Sequence, residues 1–303
     1  MHEHLRFLDE IRPLRDPVFL AAFSGWTDTP GAAVSAIEYL RDQWGGRPIA
    51  EIDPEPYYDF TVQRPKVRNV DGVRVHDWPR NRFWVARPRG GDQDFVLFAG
   101  VEPHLRWRSF LDAMLEVMQA AGVTTSVTLG AQPGSVPHTR PLPINLSASD
   151  NEFSTQFGLQ VPASRYEGPT GILSVLNLDL RARGWRNASL WVLTPHYLNV
   201  GPNPGAVLSL VRALDRGYHT TTPRDDLQRR IEEFETTVHE ALDRSTEAAT
   251  YIKTLEEQFD SSRASEQVPE DPQPGPATEL PSSDEILGDL ERFLRQQRDE
   301  PAP

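Results

Sequence analysis

Over the first 220 positions, apolar residues fall into two alternating rhythms. Short runs, VFLAAF (18–23), PIAEID (48–53), YDFTVQ (58–63), GVRVHD (72–77), RFWVAR (82–87), DFVLFAG (94–100), TTSVTLG (124–130) and ASLWVLT (188–194), predict strands. Apolar residues spaced three and four apart predict helices near 30–43, 104–121, 150–157, 170–183 and 203–216. Strand and helix recurring in turn predict an α/β domain over residues 1–222, with a mostly parallel sheet between helical layers. An Asp71-Gly72 turn between alternating runs marks 57–87 as an antiparallel excursion.

Past residue 222 the rhythm changes. Thr222, Pro223 and Asp225 read as a helix start, with a hydroxyl cap and an acid at the positive end of the dipole. Ile231, Phe234, Val238, Ala241, Ser245, Ala248, Ile252, Leu255 and Phe259 then form a heptad seam, which predicts a long helix over 223–260 packed on the domain or on a partner. Residues 261–281 are rich in Pro, Ser and acid and read as a flexible linker. The chain then resumes with SSDEILGDLERFLRQQ (282–297), an amphipathic pattern whose Ile286, Leu287, Leu290, Phe293 and Leu294 share one face; within 282–303 it reads as a short docking helix and tail.

Charge sharpens this division. The chain has 44 acidic and 31 basic residues; 23 and 22 of them lie in 1–222, leaving 21 and 9 in 223–303. A near-neutral body with an acidic tail lacks the basic face that nucleic acid requires. Cysteine is absent, which excludes disulfides and thiolate chemistry. No run is long and apolar enough to predict a membrane span, and the charged start MHEHLRFLDE predicts a cytoplasmic protein. The seven tryptophans are expected as core and interface anchors.

Candidate chemistry lies in the loops after four strands: SGWTDTPG (24–31), GVEPHLRW (100–107), AQPGSVPHTRP (131–141) and PHYLNVGPNPGA (195–206). In open α/β sheets pockets form at these carboxyl ends. Trp26, Asp28, Glu102, His104, Trp107, His138, Arg140, His196, Asn199 and Asn203 are therefore candidate pocket residues, joined by Tyr166 and Glu167 from RYEGPTG. If they line one pocket, His138 and Glu102 come within reach of each other. The alternative is that the acids cap helices and pair with arginines while the histidines are structural. The first loop has neither the glycine spacing of a dinucleotide fingerprint nor the Lys of a phosphate loop; Thr29 is expected as helix cap and Pro30 as the first helical residue. There is no GxSxG elbow, the histidines come from separate loops, and no metal or cofactor is expected.

FSGWTDTPGAA, GVEPHLRW, VPHTRP, YEGPTGI and PHYLNVGPNPGA, in that order, resemble the PAC2 family of proteasome assembly chaperone 2-like proteins, and in particular its actinobacterial branch. The resemblance covers about residues 15–220 and extends into the tail. It implies a single three-layer α/β/α sandwich like that of nucleoside phosphorylases, self-association, and work as a non-enzymatic assembly factor. It brings no catalytic residues. The Asp-Glu-Pro-Ala-Pro ending differs from the hydrophobic-Tyr-X ending by which some relatives dock on proteasomes. The competing expectation is an enzyme or small-ligand binder, phosphorylase- or hydrolase-like, that uses the strand-end loops.

Overall fold

The strand Val18–Ser24 is buried from Val18 to Phe23 because both its faces are covered. Val18, Leu20 and Ala22 join one apolar cluster, whereas Phe19, Ala21 and Phe23 join another. Side chains alternate along a strand, so this pattern requires a helical layer on each side of the sheet. The structure, a computed structural model, describes residues 2–159, 167–198, 201–242 and 246–265.

Among the described residues the elements are, in chain order, β1 (Leu5–Phe7), β2 (Val18–Ser24), α1 (Ala32–Gln43), β3 (Arg47–Ile52), β4 (Lys66–Val70), β5 (Val73–Asp77), β6 (Asn81–Ala86), β7 (Phe95–Val101), α2 (Trp107–Ala120), β8 (Thr125–Gly134), β9 (Ile144–Ala148), α3 (Asn151–Gln156), α4 (Ile172–Ala182), β10 (Arg186–Pro195), α5 (Pro204–Tyr218), α6 (Asp225–Leu242) and α7 (Thr246–Ser265). Eight strands form one sheet in the order β1-β3-β6-β7-β2-β8-β10-β9. The central β7, β2, β8 and β10 run parallel, and the strands outside them pair antiparallel. The sheet is thus mixed, parallel where helices cross over and antiparallel at its margins.

One face carries α1, α3 and α5, the other α2 and α4, which makes an α/β/α sandwich. Beneath α2, Phe19, Phe23, Phe83 and Phe98 are fully buried against Phe110 of the helix, and the Phe83 and Phe98 rings lie 4.7 Å apart. Each such side chain contributes about 1.5–3 kcal/mol of burial. Helix α6 lies over the first face, where Leu227 enters the core and Tyr39 donates from its hydroxyl to Asp226 at 2.7 Å. Val238, Ala241, Ala248, Ile252 and Leu255 of the seam bury against Tyr197 and Leu198, just beyond β10. Ser245 lies outside the described residues, and α7 continues to Ser265, past the expected start of the linker.

Several elements depart from expectation. YDFTVQ is a turn, not a strand: Tyr57 and Tyr58 are buried in the second cluster, and the Asp59 carboxylate accepts from Thr61 N and Oγ1 at 2.8 and 2.6 Å. The strand forms later, as β4, and pairs with β5 across the Asp71-Gly72 turn, where both residues have positive φ. Helix α1 begins after Gly31, so neither Thr29 nor Pro30 takes its expected position. The Thr222 hydroxyl likewise is engaged in the core, donating to Asp215 Oδ1 at 2.7 Å and accepting from Trp44 Nε1 at 3.0 Å.

Candidate functional site

The loops after β2 and β7 meet the start of α4. Glu102 receives the Ile172 N–H on Oε1 at 2.8 Å, supplying α4 with the cap that Gly171 lacks. Gly171 is a matter of space: a Cβ there would stand 2.5 Å from Thr27 Cγ2, 3.0 Å from Glu102 Oε1 and 3.2 Å from Trp26 Cε3. Trp26 is 62% exposed on this junction, and Leu105 is 52% exposed in the loop before α2. Trp107 donates from Nε1 to Pro103 O at 2.5 Å, which pins that loop to the first turn of α2. His104 is exposed and accepts on Nδ1 from Asp59 N at 3.1 Å.

Asp28 is buried and faces inward to its own helix. Its two oxygens accept from Ala33 N at 2.7 Å and Val34 N at 2.9 Å, so it caps α1 from below the left-handed Gly31. Burial raises its carboxyl to about 6, against the pull of those N–H groups. Asn203 does the same for α5, accepting from Gly205 N and Ala206 N at 2.9 and 3.2 Å, with Pro204 as the first helical residue.

The loops after β8 and β10 form a second cluster, closed by α7. Tyr197 hydroxyl contacts His138 at both N and Nδ1, at 2.9 and 2.8 Å, and burial lowers the His138 imidazole to about 4 despite nearby Glu256. His196 sits between Gly134 O, 3.1 Å from Nδ1, and the Tyr251 hydroxyl, 3.0 Å from Nε2. Arg140 reaches Asp260 with two N–H groups at 3.0 and 2.9 Å and Glu256 at 3.4 Å. Arg140 and His196 therefore hold α7 to the body.

Glu102 and His138 enter separate clusters with different partners. Glu167 is exposed, and Tyr166 and Asn199 lie outside the described residues. Two open hollows, of about 310 Å³ beside Asp150 and Arg186 and about 220 Å³ beside Glu51 and Trp78, have none of the candidate residues in their lining. Among the described residues no group of three or more His, Asp or Glu has metal-binding geometry. None of the described helices is long and apolar enough to cross a membrane.

Leu178 went unmarked in the sequence, although its helix carries the signal. Ile172, Leu173, Leu176 and Leu180 form the buried stripe of α4, whereas Leu178 lies off that stripe and is 65% exposed. Tyr251 carries no such signal, because its role depends on a long-range contact to His196 that periodicity does not encode.

These observations define a three-layer α/β/α domain in which Asp28 and Glu102 at the strand ends cap helices and Trp26 and Leu105 stand exposed beside them. The PAC2 family model matches residues 22–242, and the chain belongs to the PAC2 family. It is similar to the Mycobacterium tuberculosis proteasome-assembly chaperone homologue Rv2125, with 41% identity and a TM-score of 0.69 over 78% of this chain and 99% of the other. A PAC2 family protein from Streptomyces avermitilis matches with 37% identity, the same TM-score and the same shares of both chains. PbaB of Pyrococcus furiosus, an archaeal proteasome activator, shares the fold at 16% identity and a TM-score of 0.64, over 78% of this chain and 98% of the other. No curated protein matches the sequence.

Proposed function

We propose that the protein is a non-enzymatic assembly factor that holds protein partners, among them proteasome subunits, on its α2/α4 face, and that it self-associates in the cytoplasm. The observation that carries this reading is an asymmetry between the two helical layers. The α1/α5 layer is overlaid by α6, whereas Trp26, Leu105 and Leu178 stand exposed on the α2/α4 side. Large apolar side chains in water favour a partner. The acids that an enzyme would use are occupied in capping, which supports a structural platform over a reaction site. The likeness to Rv2125, a proteasome-assembly chaperone homologue, supports proteasome subunits as the partner class.

Co-expression with the proteasome α subunits of the same cell tests this reading by native gel and mass spectrometry. The expected result is a complex containing the chain and α subunits, lost in Trp26→Glu/Leu178→Glu with an unchanged melting curve. Assembly that proceeds identically with and without the chain, and no shared complex, would overturn it.

A further inference from the structure

The β4–β5 hairpin stands as its own two-stranded sheet, apart from the main one. Every residue of β4 is exposed, and Val67, Val70 and Val73 expose 49, 45 and 63% of their surface. A lone ribbon of this kind is marginal in water without something packed on it. At its root Trp78 is 44% exposed and meets Phe60 edge-on at 4.8 Å. Beside Trp78 lies the hollow of about 220 Å³, with Glu51, His76, Arg80, Asn81 and Arg82 in its lining. Among the described residues, two buried donors of that lining, Asn81 Nδ2 and Arg82 Nε, have no hydrogen-bond partner. Between 64 and 80 the chain carries Arg64, Lys66, Arg68, Arg74 and Arg80 against only Asp71 and Asp77. The surface is thus apolar and basic, with Arg68 and Arg80 sharing Asp77 at 3.2 and 2.8 Å.

One segment of the same chain has the complementary chemistry. In 282–297 the stripe Ile286, Leu287, Leu290, Phe293 and Leu294 is flanked by four acids, Asp284, Glu285, Asp289 and Glu291, against two bases, Arg292 and Arg295, with all four acids in its first ten residues. Sixteen residues, 266–281, separate it from the end of α7 at Ser265. At ~3.3 Å per residue they reach up to roughly 50 Å. Helix α7 is held to the loops after β8 and β10, and the hairpin is inserted between β3 and β6. In the sheet order β6 lies three strands from β8, about 15 Å at ~4.8 Å per strand. The span is well within reach.

We propose that residues 282–297 dock in cis as an amphipathic helix on the β4–β5 hairpin, with the apolar stripe on its exposed valines and Trp78 and the carboxylates toward its arginines. The tail then covers a bare ribbon that would otherwise offer its edges to other chains.

The absence of cysteine makes the test direct. In the full-length protein, Val73→Cys with Leu290→Cys should form a disulfide within one chain under mild oxidation. The expected yield is at least ~5-fold above a control pairing Leu290→Cys with Leu178→Cys, and it should fall with Arg68→Glu/Arg74→Glu or in high salt. Hydrogen exchange on the full chain gives a second readout: amides of 66–77 should exchange faster after Leu290→Asp/Phe293→Asp. Equal yields at both sites, cross-links between chains only, or hairpin exchange unmoved by the tail substitutions would overturn the proposal.

Discussion

At the level of single residues, two buried aspartates make opposite demands on pH. The Asp94 side chain is fully buried; that burial raises its carboxyl, but Arg87 and Arg15 outweigh it and hold the group down at about 2. Arg87 alone donates twice, at 2.7 Å each. With the folded value below the unfolded 3.8, its contribution is present above pH 3.8 and is lost as pH falls through 2. Asp28, raised to about 6, behaves in reverse: its contribution is full below 3.8 and is lost as pH rises through 6. Denaturant titrations across this range should show Asp94→Asn destabilised by about 2 kcal/mol at pH 7, with a weakened acid transition. Asp28→Asn should flatten the slope between pH 4 and 6, whereas Asp28→Ala should cost about 1–2 kcal/mol through loss of the α1 cap. A wild-type slope that survives Asp28→Asn would place the titration elsewhere.

Among the elements, α7 offers the clearest test of what the strand-end loops do. Ile252 is 5% exposed in the seam, and Tyr251 bonds to His196. Ile252→Asp should release α7, so that amides of 246–262 exchange faster by hydrogen-exchange mass spectrometry while β2 and β8 stay protected. Tyr251→Phe, which removes one hydrogen bond and keeps the ring, should cost about 1 kcal/mol. Central strands such as β2 and β7 were legible in the sequence because burial on both faces leaves an unbroken apolar run. The helix over 203–216 was legible from its apolar spacing, although Asn203, read as a pocket candidate, is its cap. Marginal strands were not: β1 has three residues and β9 follows a proline-rich stretch, so pairing partners far along the chain define them. The candidate residues were found as loop residues, but their roles were not. Glu102 caps a helix 70 residues ahead, and Arg140 pairs with acids 116 and 120 residues ahead, separations no local pattern records.

For the whole molecule, the exposed α2/α4 side predicts association. Light scattering of the full chain should give a mass above 34.2 kDa, reduced toward that value by Leu105→Glu/Leu178→Glu. A monomer at high concentration in both would remove self-association from the reading. The ties across the α1 layer have a different consequence, for synthesis. Trp44 bonds to Thr222 and Tyr39 to Asp226, across 178 and 187 residues. A ribosome that adds about 5–20 residues per second needs roughly 10–40 s to cover such a gap. Throughout that interval the nascent chain holds α1 without the segment that completes its burial. The amino-terminal half thus leaves the ribosome with part of its apolar face open, and that face closes only after α6 has been made.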